Sequence, residues 1–129
     1  MNYVSLLSRI LDDEYKFILM VADDESHAAE MVGKLKGYLL ASRLGCSYGA
    51  DGLLKDAPSD FIACMGDKMF RVLAVSYGTK MNGLHWRNYR PDLIVLNSAR
   101  DLNAGAYREW VDKNLLPCGS RDGAVLVIH

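Results

Sequence analysis

Asn97 and Ser98 occupy the position along this sequence that is most typical of a ligand-binding site. They follow residues 93–96, an unbroken apolar run with two β-branched members. Such a run, introduced by Pro91 and closed by small polar residues, predicts a buried strand of a parallel sheet. Ligands of these sheets bind at the carboxyl ends of the strands, so we expect Asn97 and Ser98 to face any ligand.

These two side chains lack the charge that nucleotide hydrolysis needs. In P-loop hydrolases, such a strand ends in an acid that holds Mg²⁺, often followed by a second acid that orients the attacking water. Asparagine supplies only a neutral oxygen, and serine can neither orient water as a base nor add charge to a magnesium site. The sequence also contains no G-x-x-x-x-G-K-[ST] motif, which would cradle phosphates. We therefore predict no catalytic, cofactor-binding or metal-binding residue in this chain.

The stretch 68–91 is a second candidate surface because it contains no acidic residue. Its positive side chains include Lys80, Arg87 and Arg90. One interpretation is a surface that contacts phosphate, either of a nucleotide or of the DNA backbone. The other interpretation is a solvated loop whose charges keep the protein soluble. From the sequence we favour the loop, because two glycines and no aromatic-basic repeat give little geometric specificity.

Asp23 and Asp24 form an acidic pair directly after the apolar run 17–22. An acidic pair at a strand end could hold magnesium. Capping the N-terminus of the next helix is a commoner role and needs no partner, so we assign the pair to capping. The apolar residues of that helix are Ala28, Met31, Val32, Leu35, Tyr38 and Leu39.

The other apolar patterns predict an α/β fold, with a mainly parallel sheet flanked by helices and extended by a β-hairpin, in a single domain over residues 1–129. Strands are predicted at residues 17–22, 61–65, 70–76, 93–96 and 124–128, and helices at residues 2–12, after Asp24, and up to about Leu116 before Pro117. Residues 45–58 carry three glycines and a proline, which predicts a loop.

Composition excludes several other classes of protein. No apolar run approaches the ~20 residues that span a bilayer, and the N-terminus has no signal-type segment, so we expect a cytoplasmic protein without a membrane partner. The three cysteines (Cys46, Cys64 and Cys118) form no C-x-x-C pair, and the histidines are isolated. Neither a disulfide framework nor a metal site is therefore expected.

Four stretches of the chain resemble part of the ATPase domain of phage terminase large subunits, the motors that package viral DNA. They are the strand-helix stretch 16–30, the glycine-rich 76–84, the segment Arg90-Pro-Asp-Leu-Ile-Val-Leu96, and the closing 110–128. The resemblance implies a P-loop NTPase-like core that uses ATP and Mg²⁺. It also implies that Asn97 and Ser98 replace the acidic Walker B pair, and that Asn82 stands where an arginine is usual.

The same resemblance implies that this core is incomplete. In that family the phosphate-binding loop precedes the position of Met1, and a nuclease domain follows the position of Ile128. We expect a terminase ATPase-like fragment that does not hydrolyse ATP by itself, unless another chain supplies the missing half. The alternatives are a non-catalytic α/β binding or assembly module, a prophage remnant without a present function, and a small α/β domain with an accidental likeness.

Residues 124–128 are expected to form an exposed sheet edge. In folds of the resembled kind the phosphate-loop strand lies beside this segment, and without it the backbone N–H and C=O groups of 124–128 have no partner. Long apolar edges invite pairing with other strands. Either another segment of this chain, such as the N-terminal helix, covers the edge or a second polypeptide does, and we favour a homodimer through 124–128.

Overall fold

Helices and strands both occur in the computed structural model, which describes residues 2–42, 52–65, 68–81, 86–97, 105–121 and 123–128. The helices are α1 Tyr3–Asp12, α2 Glu25–Ser42 and α3 Gly105–Trp110, and the strands are β1 Phe17–Ala22, β2 Gly52–Ala57, β3 Asp60–Met65, β4 Lys68–Ser76, β5 Leu93–Asn97 and β6 Ala124–Ile128. Three positions discussed above, Cys46, Asn82 and Ser98, lie outside the described residues.

The strands form one six-stranded mixed sheet in the order β2-β3-β4-β1-β5-β6. Strand β1 runs parallel to β4 and β5, and β5 runs parallel to β6. Strand β3 pairs antiparallel with β2 on one side and with β4 on the other. The predicted α/β class, the mainly parallel sheet and the hairpin extension are therefore confirmed, with β3 and β4 as the hairpin.

Burial of β1 on both faces explains its sequence, Phe-Ile-Leu-Met-Val-Ala, in which each residue is buried. Ile18 and Met20 point to one face and join the core under α1 and α2. Leu19 and Val21 point to the other face and join a second core with α3. A strand covered by helices on both sides needs no polar alternation, which is why its apolar run is continuous.

Helix α1 begins at a cap that its sequence provides. The side chain of Asn2 accepts a hydrogen bond from the backbone N–H of Ser5 at 2.8 Å. Leu6, Leu7 and Ile10 then place their side chains in the core at helical spacing. In the described part of the chain, no helix combines the length and apolar character needed to cross a membrane.

Strand β2 lies within the predicted loop at residues 45–58, so that prediction is wrong for residues 52–57. Residues 52–57 form a strand that pairs with β3, while residues 43–51 lie outside the described ranges. The sequence does not reveal this strand because it carries Lys55 and Asp56, and because its register against β3 shifts between Leu53 and Lys55. A strand at the edge of a sheet tolerates such polar residues, so composition does not reveal it.

The helix predicted to stop before Pro117 ends differently. After α3, residues 111–115 continue as a π-helical turn, and residues 116–118 form a 3₁₀ turn that contains Pro117. Proline fits the first positions of a helical turn, because the N–H it lacks has no acceptor there.

Candidate functional site

Asn97 lies at the carboxyl end of β5, where the parallel strands open to solvent. Leu96 pairs with Val21 of β1, and Asn97 pairs with Ile128 of β6, so Asn97 sits between the ends of two parallel neighbours. Its side chain is half-buried. Asn97 therefore lies at the carboxyl end of a parallel strand, as expected, whereas Ser98 lies outside the described residues. Ligand binding at this end stays a prediction.

Asp24, which follows β1 at the same end of the sheet, is the N-cap of α2. One carboxylate oxygen accepts the backbone N–H of His27 at 2.8 Å, and both oxygens lie 2.9 Å from its Nδ1. The hydrogen bond from the backbone N–H of His27 is the main cause that lowers the pKa of the Asp24 carboxyl, and the hydrogen bond to the His27 ring lowers it further. The hydrogen bond to Asp24 raises the pKa of the His27 imidazole in turn. The predicted capping role is confirmed for Asp24, whose carboxylate binds the backbone N–H and the ring of His27.

A turn after β4 completes this end of the sheet. The Thr79 hydroxyl donates to the carbonyl of Ser76 at 2.7 Å, and the indole N–H of Trp110 donates to the carbonyl of Thr79 at 3.2 Å. The turn borders an open groove of ≈ 460 Å³ that is also lined by Glu25 and Ser59. The described lining includes hydroxyl groups and one carboxylate, and it contains no positive side chain.

The positive residues proposed for phosphate lie at two different ends of the sheet. Lys80 is exposed shortly after the carboxyl end of β4. Arg87 and Arg90 are exposed shortly before the amino end of β5. Because β4 and β5 both run parallel to β1, the chain crosses the sheet between these residues. The structure therefore places Arg87 and Arg90 at the amino end of the sheet and Lys80 at the carboxyl end.

Residues 86–89 form a tight turn at the amino end of the sheet. Trp86 and Tyr89 exchange both backbone hydrogen bonds, at 2.8 Å and 2.7 Å. The two central residues, Arg87 and Asn88, have positive φ angles of 49° and 65°. This is the geometry of a type I′ turn, which asparagine tolerates and arginine rarely adopts. The turn holds the Arg87 guanidinium over the Trp86 ring, 5.3 Å from its centroid.

Four cations at this end of the sheet, which we call the amino-end cations, form no ion pair with any described carboxylate. They are Lys16, Arg87, Arg90 and Arg121. Lys16 Nζ lies 4.6 Å from the centroid of the Tyr89 ring, and Arg90 donates to the carbonyl of Pro117 at 3.2 Å. Arg121 follows Ser120, whose N–H donates to the carbonyl of Pro91 at 2.7 Å. Most other described lysines and arginines are paired with an acid. The carboxylate of Asp92 lies at the same end of the sheet, but it accepts backbone N–H groups and forms no ion pair with these four side chains.

Asp92 is a structural residue of this end that the sequence did not single out. Its two carboxylate oxygens accept the backbone N–H groups of Lys16 and Phe17, each at 2.9 Å. Its own N–H donates to the carbonyl of Phe17 at 3.0 Å, and its carbonyl accepts the N–H of Ala124 at 3.1 Å. Asp92 therefore joins the first residues of β1, β5 and β6. The only sequence signal for it is an acid between a proline and an apolar run.

The carboxyl end of the sheet thus presents an amide on β5, a capping carboxylate after β1 and hydroxyl groups after β4. Within the described ranges, no group of three or more His, Cys, Asp or Glu side chains could hold a metal ion. These polar groups offer hydrogen-bond donors and acceptors at one end of the sheet. No family model matches this chain, and neither a curated protein nor a solved structure matches it.

Proposed function

We propose that this chain is a terminase large subunit-like ATPase-core fragment that does not hydrolyse ATP by itself and serves as an assembly module. The observation that carries the proposal is the position of Asn97, at the carboxyl end of an interior parallel strand beside β1 and β6. A hydrolase of the P-loop class needs a carboxylate at such a position to hold Mg²⁺. An amide there keeps the shape of the strand end but supplies no negative charge.

Two further features support a P-loop NTPase-like but inactive core. The segment Arg90-Pro-Asp leads into β5, as in the resembled family, and the 129-residue sequence contains no phosphate-loop motif. Phosphoryl transfer depends almost entirely on positioning and charge stabilisation, so losing even one such group costs about 10²–10³-fold in rate. In this proposal the protein acts in the cytoplasm through its sheet rather than through catalysis, and the alternative is a prophage remnant without a present function.

Titration with ATP in the presence and absence of MgCl₂ tests the absence of nucleotide chemistry. We expect no magnesium-dependent heat in calorimetry and no phosphate release, because the chain has neither the phosphate loop nor the acids that hold magnesium. The matched variant Asn97→Asp/Ser98→Glu restores the two acids and is also expected not to bind ATP. Magnesium-dependent ATP binding by the wild-type chain, or ATP binding by the double variant, would contradict the proposal.

A second candidate function is contact with the phosphate backbone of DNA through the amino-end cations. Arg87 is exposed at the tip of the type I′ turn, and Arg90 is exposed just after it. Tyr89, between them, leaves 43% of its surface accessible. Positive charge that is not paired with an acid, beside an exposed aromatic ring, is typical of surfaces that bind nucleic acid. Lys80 is excluded from this surface because it lies at the other end of the sheet.

Fluorescence anisotropy with a labelled DNA duplex, over a series of salt concentrations, tests this second function. We expect Arg87→Gln/Arg90→Gln to weaken binding about tenfold at low salt and to reduce the slope of log K against log [salt] by about 2. The control Lys80→Gln/Arg108→Gln removes the same net charge elsewhere and should bind like the wild type. An equal loss in both variants would contradict a specific surface and would indicate a net-charge effect.

A further inference from the structure

The two outer strands of the sheet differ in how they are protected against pairing with another chain. Strand β2 carries Lys55, Asp56 and an irregularity in its register, which are common protections of an exposed edge. Strand β6 reads Ala-Val-Leu-Val-Ile and has no charge and no proline. Its pairing with β5 is regular over Leu93–Asn97. Within the described residues, strand β6 is therefore an apolar edge with a regular register and without the protections that β2 carries.

The backbone groups that β6 leaves unpaired can be identified from its register. In a parallel pair, the N–H and C=O of one residue point to the same side, and successive residues alternate. The N–H of Ala124 donates to the carbonyl of Asp92 at 3.1 Å, so Ala124 points toward β5. Leu126 and Ile128 point the same way. Val125 and Val127 therefore direct their N–H and C=O groups to the open side of the sheet.

The side chains of β6 are also less covered than those of its neighbour. The apolar residues of β5 are buried, whereas Val125 is 47% exposed. Leu116 is 39% exposed, and it lines a small groove of ≈ 110 Å³ together with Val125 and Ile94. An additional strand beside β6 would cover this apolar surface and satisfy the outward backbone groups at the same time.

We propose that β6 pairs with β6 of a second copy of this chain, antiparallel and in register about Leu126. In this register Val125 lies opposite Val127 of the partner subunit, and both residues direct their backbone groups at each other. They form the hydrogen-bonded pairs of an antiparallel ladder, and the outward groups of both strands are satisfied. The two sheets become one continuous sheet. The inference rests on the assembly role proposed above, in which the protein acts through its sheet.

Self-complementarity favours a second copy over a different partner. A two-fold axis places each residue of the strand against a residue of the same strand, so any charge would meet a charge of the same sign or an apolar side chain. Strand β6 contains no charged residue, and each cross-strand pair in this register joins two apolar side chains. The five residues of β6 also offer no charge that would select an acidic or basic partner.

Val125→Pro tests the pairing without disturbing the monomer. Proline removes the outward N–H of residue 125, which makes no hydrogen bond to any residue that the structure describes, and proline is accepted at sheet edges. We expect the wild type to show a concentration-dependent dimer in sedimentation and Val125→Pro to raise its dissociation constant at least about tenfold, with unchanged circular dichroism. The control Val125→Thr keeps the N–H and the side-chain shape, and should dimerise like the wild type.

A cysteine cross-link tests the register. In a background with Cys46, Cys64 and Cys118 replaced by serine, Leu126→Cys places two thiols opposite each other at a non-hydrogen-bonded pair, where a disulfide can form. The control Ala124→Cys places its thiol opposite Ile128 of the partner subunit and should not cross-link. Folding of each variant is checked by circular dichroism.

Three results would overturn the inference: a wild type that is monomeric at every concentration, a dimer that persists in Val125→Pro, or cross-linking of Ala124→Cys in place of Leu126→Cys. These measurements involve no nucleotide. A failed dimer is therefore distinguishable from a failure of the proposed loss of ATP hydrolysis, which the ATP titration tests separately.

Discussion

Replacing Asp92 with alanine is expected to lower the free energy of unfolding by about 3 kcal/mol, because it leaves two backbone N–H groups without an acceptor. These are the N–H groups of Lys16 and Phe17, each 2.9 Å from a carboxylate oxygen of Asp92. Phe17 is fully buried, so water cannot easily replace the lost acceptor there. Urea denaturation followed by circular dichroism measures the change.

Two further variants separate the hydrogen bonds of Asp92 from the loss of a carboxylate in general. Asp92→Asn keeps one acceptor oxygen, so we expect it to lose roughly half as much stability as Asp92→Ala. Asp12→Ala removes an exposed carboxylate from α1 and should change the free energy of unfolding by less than about 0.5 kcal/mol. Equal losses in Asp92→Ala and Asp12→Ala would show that the anchoring hydrogen bonds contribute nothing.

Strands buried on both faces could be predicted from the sequence, and the exposed edge strand could not. Strands β1 and β5 each read as a continuous apolar run because helices cover the sheet on both sides. Strand β2 carries a lysine and an aspartate and lies at the edge, so its composition resembles that of a loop. The information that makes it a strand is its pairing with β3, which is a tertiary contact.

The position of the candidate site within one strand could be predicted from the sequence. The end of the sheet at which residues between two strands lie could not be predicted, because it depends on how the strands are arranged in the sheet. Asn97 could be placed because the apolar run before it predicts a parallel strand, and the residue after such a run lies at the carboxyl end of that strand. Lys80 and Arg87 are near in sequence but lie at opposite ends of the sheet, because the chain crosses it between β4 and β5. The turn at Arg87 also lacked the glycine that usually signals positive φ. The role of Asp92 depends on partners 75 and 76 residues away.

Asp60, Arg71 and Lys55 form a charge cluster on the hairpin extension. Asp60 is the buried acid of β3, with 8% of its surface exposed. Arg71 on β4 binds both carboxylate oxygens, through Nε at 2.9 Å and Nη2 at 2.8 Å, and Lys55 on β2 lies 2.6 Å from one of them. Burial raises the pKa of Asp60, but the hydrogen bonds from Arg71 and Lys55 outweigh it, and the pKa is lowered overall.

Arg71→Met is expected to lower the free energy of unfolding by about 3 kcal/mol at neutral pH, because it leaves a buried carboxylate with only one of its two cations. Methionine keeps an apolar stem where the Arg71 guanidinium lies over the Phe17 ring, 5.2 Å from its centroid, so loss of packing contributes little. The double variant Asp60→Asn/Arg71→Met removes the orphaned charge and should recover part of the loss. A double variant as unstable as Arg71→Met would contradict an electrostatic cause.

The pH dependence of stability separates this charge effect from packing. A carboxyl group whose pKa is lower in the folded state stabilises the fold at pH values above its unfolded pKa, and this contribution is lost as the pH falls through the folded pKa. We therefore expect the stability difference between the wild type and Arg71→Met to be full at neutral pH and to shrink below about pH 4, where Asp60 becomes protonated in the unfolded chain. Denaturation midpoints across this range measure the difference. A difference that stays constant down to low pH would show that Arg71 stabilises the hairpin by packing on Phe17 rather than by holding the charge of Asp60.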